Sequence, residues 1–234
     1  MDSDFNSVNF FFVTFYKNVK LLYEINFVLT SMHYNSLKVF DNSFVSKKIK
    51  LIAGVDEAGR GPIAGPVVAA AVIFDKNVFH PQINDSKKLS EKIRENLYEW
   101  IIQNCVCYAV GVVNHDEIDE INILQASLKA MKYAVEKLEV KPHLVLIDGN
   151  KSFSLNDSMI KTIIKGDSKS FSIAAASILA KVTRDRIMKE AAVEYPEYLW
   201  ERNKGYPTKS HIEAVKNYGI TPLHRKSFLK NIIK

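Results

Sequence analysis

Asp56 and Glu57 close an apolar run, Leu51-Ile52-Ala53-Gly54-Val55, that reads as a buried strand, and Gly59-Arg60-Gly61-Pro62 follows almost at once. Two adjacent carboxylates are costly at such a position unless a positive charge meets them, and a metal ion is the natural partner. An arginine flanked by glycines lets both backbone and guanidinium approach a phosphate or a sugar. Acids for a cation, then a basic loop for a polyanion, is the pairing that phosphodiester chemistry calls for. The loop is not a common nucleotide cradle. Gly59, Gly61 and Gly65 are spaced two and then four apart, unlike the dinucleotide fingerprint, and no Gly-Lys-Ser/Thr follows.

Two further acids stand in similar places. Asp148 ends the apolar run Leu144-Val145-Leu146-Ile147, and Asp167 follows Gly166 at a strand-to-helix junction. Taken singly, an aspartate there is a turn residue or a helix cap, and for Asp167 alone that is the better reading. As an ordered set of four, the acids favour a cation site, because without one they would repel and shift one another's pKa. Carboxylates suit Mg²⁺ or Mn²⁺, and two such ions can hold an attacking water and a leaving oxygen on opposite sides of a phosphodiester. Lys87, Lys88, Lys181 and Arg184 are candidate phosphate contacts, the last two sharing a helical face; for Lys88 a solvated surface lysine is equally plausible. Ser172 and Ser177 read as helix-packing residues. His211 and His224 lack ligand spacing and read as core or surface histidines, and no Ser-His-Asp set is recognisable.

The elements that must position these groups follow from periodicity. Residues 51–56, 67–74, 105–113, 143–148 and 161–165 read as strands. Ser90 is an N-cap for a helix towards Asn104, with Ile93, Leu97, Trp100 and Ile101 at helical spacing. A second helix is expected over about 116–138, with Leu124, Leu128, Met131 and Val135 as its stripe. The Ala-rich run 170–194, ended by Tyr195-Pro196, is the longest helical pattern. Strands and crossover helices in this order give an α/β domain with a central mixed sheet.

With 234 residues, 47% hydrophobic and 25% charged, the chain suits one soluble catalytic domain. The formal charge is +6, and from Tyr198 onwards eight Lys/Arg stand against two Glu, so the basic excess sits at the C-terminal end and favours a polyanion partner. Cys105 and Cys107, two apart on an expected strand, share a face, cannot easily bridge, and read as reduced residues of a cytoplasmic protein. Residues 1–48 differ in composition. Phe10-Phe11-Phe12-Val13 is apolar, but Lys17, Lys20 and Glu24 interrupt it too early for a membrane span, and Asp2 and Asp4 argue against a secretion signal. This segment is read as an upstream translation with Met32 as the natural start, or else an accessory arm, with the domain proper at 49–234.

The chain resembles the ribonuclease HII family. The resemblance rests on Gly54-Val55-Asp56-Glu57-Ala58-Gly59-Arg60-Gly61-Pro62, Asp85-Ser86-Lys87-Lys88-Leu89-Ser90, Leu146-Ile147-Asp148-Gly149, Lys165-Gly166-Asp167-Ser168, the long block 172–185, Gly205-Tyr206-Pro207-Thr208 and His224-Arg225-Lys226-Ser227-Phe228. These blocks fall in the family's order over roughly residues 50–230. The resemblance implies a ribonuclease H-like fold with a helical C-terminal extension. It also implies Asp56, Glu57, Asp148 and Asp167 as ligands of two divalent cations, Mn²⁺ or Mg²⁺. Gly59, Arg60 and Gly61 would read the ribose 2′-hydroxyl and phosphate at an RNA–DNA junction, with Tyr206 stacked on the sugar. The related ribonuclease HIII family lacks the Gly-Arg-Gly signature. The expected activity is cleavage of RNA in RNA–DNA hybrids and incision 5′ of ribonucleotides embedded in duplex DNA, by a monomer with no stable membrane association. The rivals are another metal nuclease of this fold, and a catalytically silent hybrid-binding protein, which would not need all four acids.

Overall fold

The computed structural model describes residues 36–230 apart from 85, 87 and 88. Its strands are Ile52–Ala58 (β1), Val67–Ile73 (β2), Cys107–Val113 (β3), Leu144–Asp148 (β4) and Met159–Ile163 (β5), in the sheet order β3-β2-β1-β4-β5. β1 is antiparallel to β2 and parallel to β4, so the sheet is mixed, as expected. Val55 pairs with Ile147 across β1 and β4, which makes Asp56 and Asp148 the next residues at the same sheet edge. Ala53, Val55, Val145 and Ile147 pack on one face, and Ile52, Leu144 and Leu146 on the other. Alternation puts both aspartates on the second face and Glu57 on the first.

Six of the helices are Glu91–Asn104 (α2), His115–Glu136 (α3), Phe171–Glu194 (α4), Trp200–Asn203 (α5), Lys209–Tyr218 (α6) and Lys226–Leu229 (α7), preceded by α1 over residues 36–42. Ser90 caps α2 as expected, accepting from the Ile93 N–H at 3.3 Å. α3 covers the face carrying Val55 and Ile147, while α4 and α2 cover the other. Every residue of 171–180 in α4 is buried, which explains its all-round apolar and small composition. Gly54 allows this closeness: a Cβ there would stand 2.1 Å from the Ser172 carbonyl carbon.

Several expectations need correction. α3 is not continuous: Asn122 adopts φ 67°, ψ 163°, and its Oδ1 accepts from the N–H groups of Leu124 and Gln125, so it caps a new helical start. The buried stripe of α3 is Ala126, Ala130, Met131, Ala134 and Val135, with Leu124 and Leu128 only half-buried. Cys105 ends α2 rather than lying on a strand; it packs with the α4 face, whereas Cys107 packs with α3, so the two do not share a side. Packing on the core extends upstream of residue 49. Leu37 and Asp41 of α1 are buried, and Phe40, Phe44 and Ile49 pack on Ile52, Leu144, Leu146, Ile163 and Ile173. Met32 lies outside the described residues. Of the basic C-terminal residues, Lys204 and Arg225 are buried and add nothing to an outer charged face.

Gly54→Ala should cost about 1–3 kcal/mol or more, because the new methyl meets the α4 backbone rather than a side chain that can turn away. Urea denaturation measures this, and a loss under about 0.5 kcal/mol would mean that α4 can retreat from β1 freely.

Candidate active site

Asp56, Glu57 and Asp148 meet in a cleft of about 260 Å³, whose walls also include Gly59, Arg60, Gly61, Lys181 and Tyr206. Its floor holds Ser86 and Ser177, whose hydroxyls are 2.8 Å apart. Ser177 also lies beside the Asp56 carboxyl and favours its ionised form, so this serine does more than pack its helix. Asp56 Oδ1 accepts from the Glu57 N–H at 2.7 Å, and Arg60 Nη1 donates to Glu57 Oε1 at 3.2 Å. Burial pushes the Asp56 carboxyl well above the usual carboxylate range, and the charges of Glu57 and Asp148 push it further. Glu57 is raised too: burial outweighs the help from Arg60.

Asp167 sits in the single turn Gly166–Ser168, half-buried, and does not line the cleft. Its turn is nonetheless tied to the site, since the Gly166 N–H donates to Asp148 Oδ1 at 2.6 Å. Among the described residues no three His, Cys, Asp or Glu side chains converge into a ready-made metal cluster. The cleft is nonetheless lined by three of the four acids, and the fourth, Asp167, follows Gly166, whose N–H contacts Asp148 directly.

The Gly59-Arg60-Gly61 loop is held from beneath by two buried guanidinium groups. Arg225 donates to the carbonyls of Gly59 (2.7 Å), Gly65 (2.9 Å) and Pro66 (3.0 Å), and at 3.4 Å to that of Arg60. Arg184 donates to Ala64 (3.0 Å), Pro66 (2.9 Å) and Lys204 (2.9 Å). Burial lowers their pKa values to about 9 and about 10, so both stay charged at neutral pH. Gly59 has φ +100°, and a Cβ on it would stand 2.2 Å from Arg184 Nε. Arg184 is therefore a brace and not the phosphate contact expected of it. Arg225 is the residue that sequence reasoning missed, since an arginine in His-Arg-Lys-Ser-Phe looks like surface charge.

Tyr206 is 39% exposed, with Lys181 Nζ 5.6 Å and Arg184 Cζ 5.9 Å from its ring centre. Lys181 reaches the cleft while donating to Asp185 Oδ1 at 2.7 Å. Lys87 falls outside the described residues, as does Lys88. The two histidines are core residues with a definite task. The Thr221 N–H donates to His224 Nδ1 (3.0 Å), so the His224 proton sits on Nε2 and faces His211 Nε2 at 3.2 Å. Trp200 Nε1–H donates to that same His211 nitrogen at 3.0 Å. His211 thus carries its proton on Nδ1 and donates it to the Tyr206 carbonyl at 2.9 Å. Burial lowers both rings, His224 to about 4, which keeps this neutral arrangement.

The family model described as Ribonuclease HII matches residues 53–231. The chain belongs to the ribonuclease HII family. It is a ribonuclease H, an endonuclease with a mixed-sheet α/β fold. A ribonuclease HII of Rickettsia bellii is 57% identical over 184 residues, 79% of this chain and 92% of that protein. The ribonuclease HII of Acetivibrio thermocellus is 50% identical over 218 residues, 93% of this chain and 83% of that one, a match that extends upstream of Met32. The crystal structure of ribonuclease H2 from Pyrococcus horikoshii superposes with a TM-score of 0.65 at 30% identity, over 78% of this chain and 96% of that one.

The crowding of acids makes a prediction about stability without divalent ions. A carboxyl whose folded pKa lies above its unfolded value destabilises the fold once ionised, and that cost fades as pH falls through the raised range. Asp56→Asn should therefore raise Tm in EDTA at neutral pH, by about 2–4 °C for each ~1 kcal/mol relieved. The gap to wild type should narrow on acidification towards about pH 4, near the unfolded carboxyl's own pKa, and close below it. Thermal unfolding followed by circular dichroism from pH 4 to 8 checks this; a variant less stable at pH 7 would contradict it.

Proposed function

We propose that this chain cleaves the RNA strand of RNA–DNA hybrids and incises duplex DNA on the 5′ side of embedded ribonucleotides, leaving a 3′-hydroxyl and a 5′-phosphate. The observation that carries this reading is one cleft lined by Asp56, Glu57 and Asp148 together with Gly59, Arg60, Gly61 and Tyr206. Removal of misincorporated ribonucleotides is the cellular task that fits.

The acid set suits two divalent cations, Mg²⁺ or Mn²⁺, held by Asp56, Glu57, Asp148 and Asp167. The donor set is all oxygen, and the raised carboxyls of Asp56 and Glu57 are what acids do when gathered ahead of their counter-charge. When bound, such ions supply an activated water and stabilise the leaving oxygen. The chain's own groups do the rest. Arg60, whose side chain is 55% exposed, has its guanidinium free to turn from Glu57 towards a phosphate. The glycine loop, its carbonyls turned to Arg225 and Arg184, brings backbone within reach of a ribose 2′-hydroxyl. Tyr206 offers a ring face for the sugar, with Lys181 beside it as a second cation for the backbone. Because water is the attacking group, the 2′-hydroxyl serves recognition only.

Duplex DNA carrying one ribonucleotide, incubated with Mg²⁺ or Mn²⁺, should be cut once on the 5′ side of that residue, with no cut in EDTA or in all-DNA duplex. Asp148→Asn should lower incision at least ~10²-fold while hybrid binding persists, since each carboxylate at such a site supports several kcal/mol of charge stabilisation. Full activity in that variant would remove Asp148 from the site.

Arg60→Ala should lower kcat/KM on the ribonucleotide substrate about 10–100-fold, the worth of a charge-assisted hydrogen bond, and blur the preference over all-DNA duplex. Steady-state kinetics on both duplexes reads this, and unchanged selectivity would assign recognition elsewhere.

A further inference from the structure

Asp41 belongs to α1, ahead of the residues 53–231 matched by the family model, yet its carboxylate is wholly engaged with the far end of the domain. Oδ1 accepts from the Ser170 hydroxyl at 2.5 Å, and Oδ2 accepts from the Ser172 N–H and hydroxyl, both at 2.8 Å. Ser170 is the N-cap of α4, its hydroxyl accepting from the Ile173 N–H at 3.2 Å. The first turn of α4 contains no acid of its own, so Asp41 supplies from another segment the negative charge that a helix start favours.

The connection continues into the site. The Ser170 N–H donates to the Gly166 carbonyl at 2.8 Å, and the Gly166 N–H donates to Asp148 Oδ1 at 2.6 Å. Asp41, Ser170, Gly166 and Asp148 thus form one line of hydrogen-bonded groups, and Asp167 lies in the turn it crosses. That turn needs outside support. Lys165, which opens it, is a non-glycine residue at φ 56°, ψ 48°, a conformation that costs energy unless its surroundings impose it. Gly166 is pressed so closely that a Cβ would stand 2.6 Å from Ile173 Cδ1 and 3.2 Å from Asp148 Oδ1.

We propose that Asp41 is a positioning residue for Asp148 and Asp167, so that α1 is part of the catalytic apparatus; this rests on the reading of those two acids as cation ligands. Supporting groups one step behind a ligand typically govern cation affinity and activity by about 10–100-fold.

The test uses the full chain with Asp41→Asn, which cannot accept fully on both sides, and Asp41→Glu, which keeps the charge but moves it by one methylene. Ser172→Ala serves as a comparison that weakens the cap without cutting the Asp41–Ser170 link. Hydrogen exchange without divalent ions should rise over residues 165–170 in both Asp41 variants. Half-saturation by Mn²⁺ in the incision assay should rise about tenfold, with KM for the nucleic acid unchanged and kcat recovering at high Mn²⁺. Wild-type exchange and Mn²⁺ dependence in a folded Asp41 variant would overturn the proposal. So would a Ser172→Ala variant that shifts the Mn²⁺ curve as far, since the effect would then be general loosening. Asp148→Asn run alongside separates the two failures. If it is inactive while both Asp41 variants match wild type, only the role of Asp41 falls; if it remains active, the ligand assignment falls.

Discussion

Asp56, Glu57 and Asp148 repel one another in one cleft, and among the described residues the single ion pair made to them is Arg60 with Glu57. Groups that repel stay together only if the backbone beneath them is held by something stronger. Here it is the pairing of β1 and β4, in which Val55 and Ile147 lock two parallel strands and place an aspartate next in each. α4 then presses on β1 at Gly54 and β2, α3 closes the opposite face, and the apolar burial on both sides offsets the electrostatic cost at the edge. The stability of the sheet is spent, in part, on keeping unfavourable neighbours in place.

The other half of the cleft solves the opposite problem. Arg184 and Arg225 are buried cations whose donors go to backbone carbonyls rather than to carboxylates. Peptide dipoles replace the water each guanidinium loses, and the loop that provides them is fixed in return. The Tyr206 turn is joined to the same unit, through Ile63 N–H to the Gly205 carbonyl and Arg184 to that of Lys204. The neutral His211–His224 pair holds it from the other side. Acids and basic loop therefore share α4, which packs on β1 and carries Arg184, while Arg225 and the histidine pair add a further support to the loop side.

Much of this was legible before any coordinates. Apolar runs ended by Asp56 and Asp148 announce the strands that carry them, although β1 continues through Glu57 to Ala58 on its pairing with β2. Ser90 announces a helix start by equally local chemistry. What could not be read depends on distance in the chain. Helical spacing places Lys181 and Arg184 near each other but does not say which one turns inward, and Arg184 does. Asn122 breaks α3 because its own side chain competes for the next N–H groups, a choice that the apolar period hides. Asp41 and Arg225 act on partners 129 and 166 residues away, so neither carries a local signature of its task.

The reach of Arg225 has a consequence for how the enzyme comes into being. Synthesis is vectorial, and the Gly59 carbonyl leaves the ribosome 166 residues before the guanidinium that will hold it. The acids of β1 and β4 and all of α4 precede that arginine as well. A nascent chain can thus assemble its sheet and gather its carboxylates while the glycine loop is braced by Arg184 alone. Full bracing of the loop therefore waits for the segment that carries Arg225.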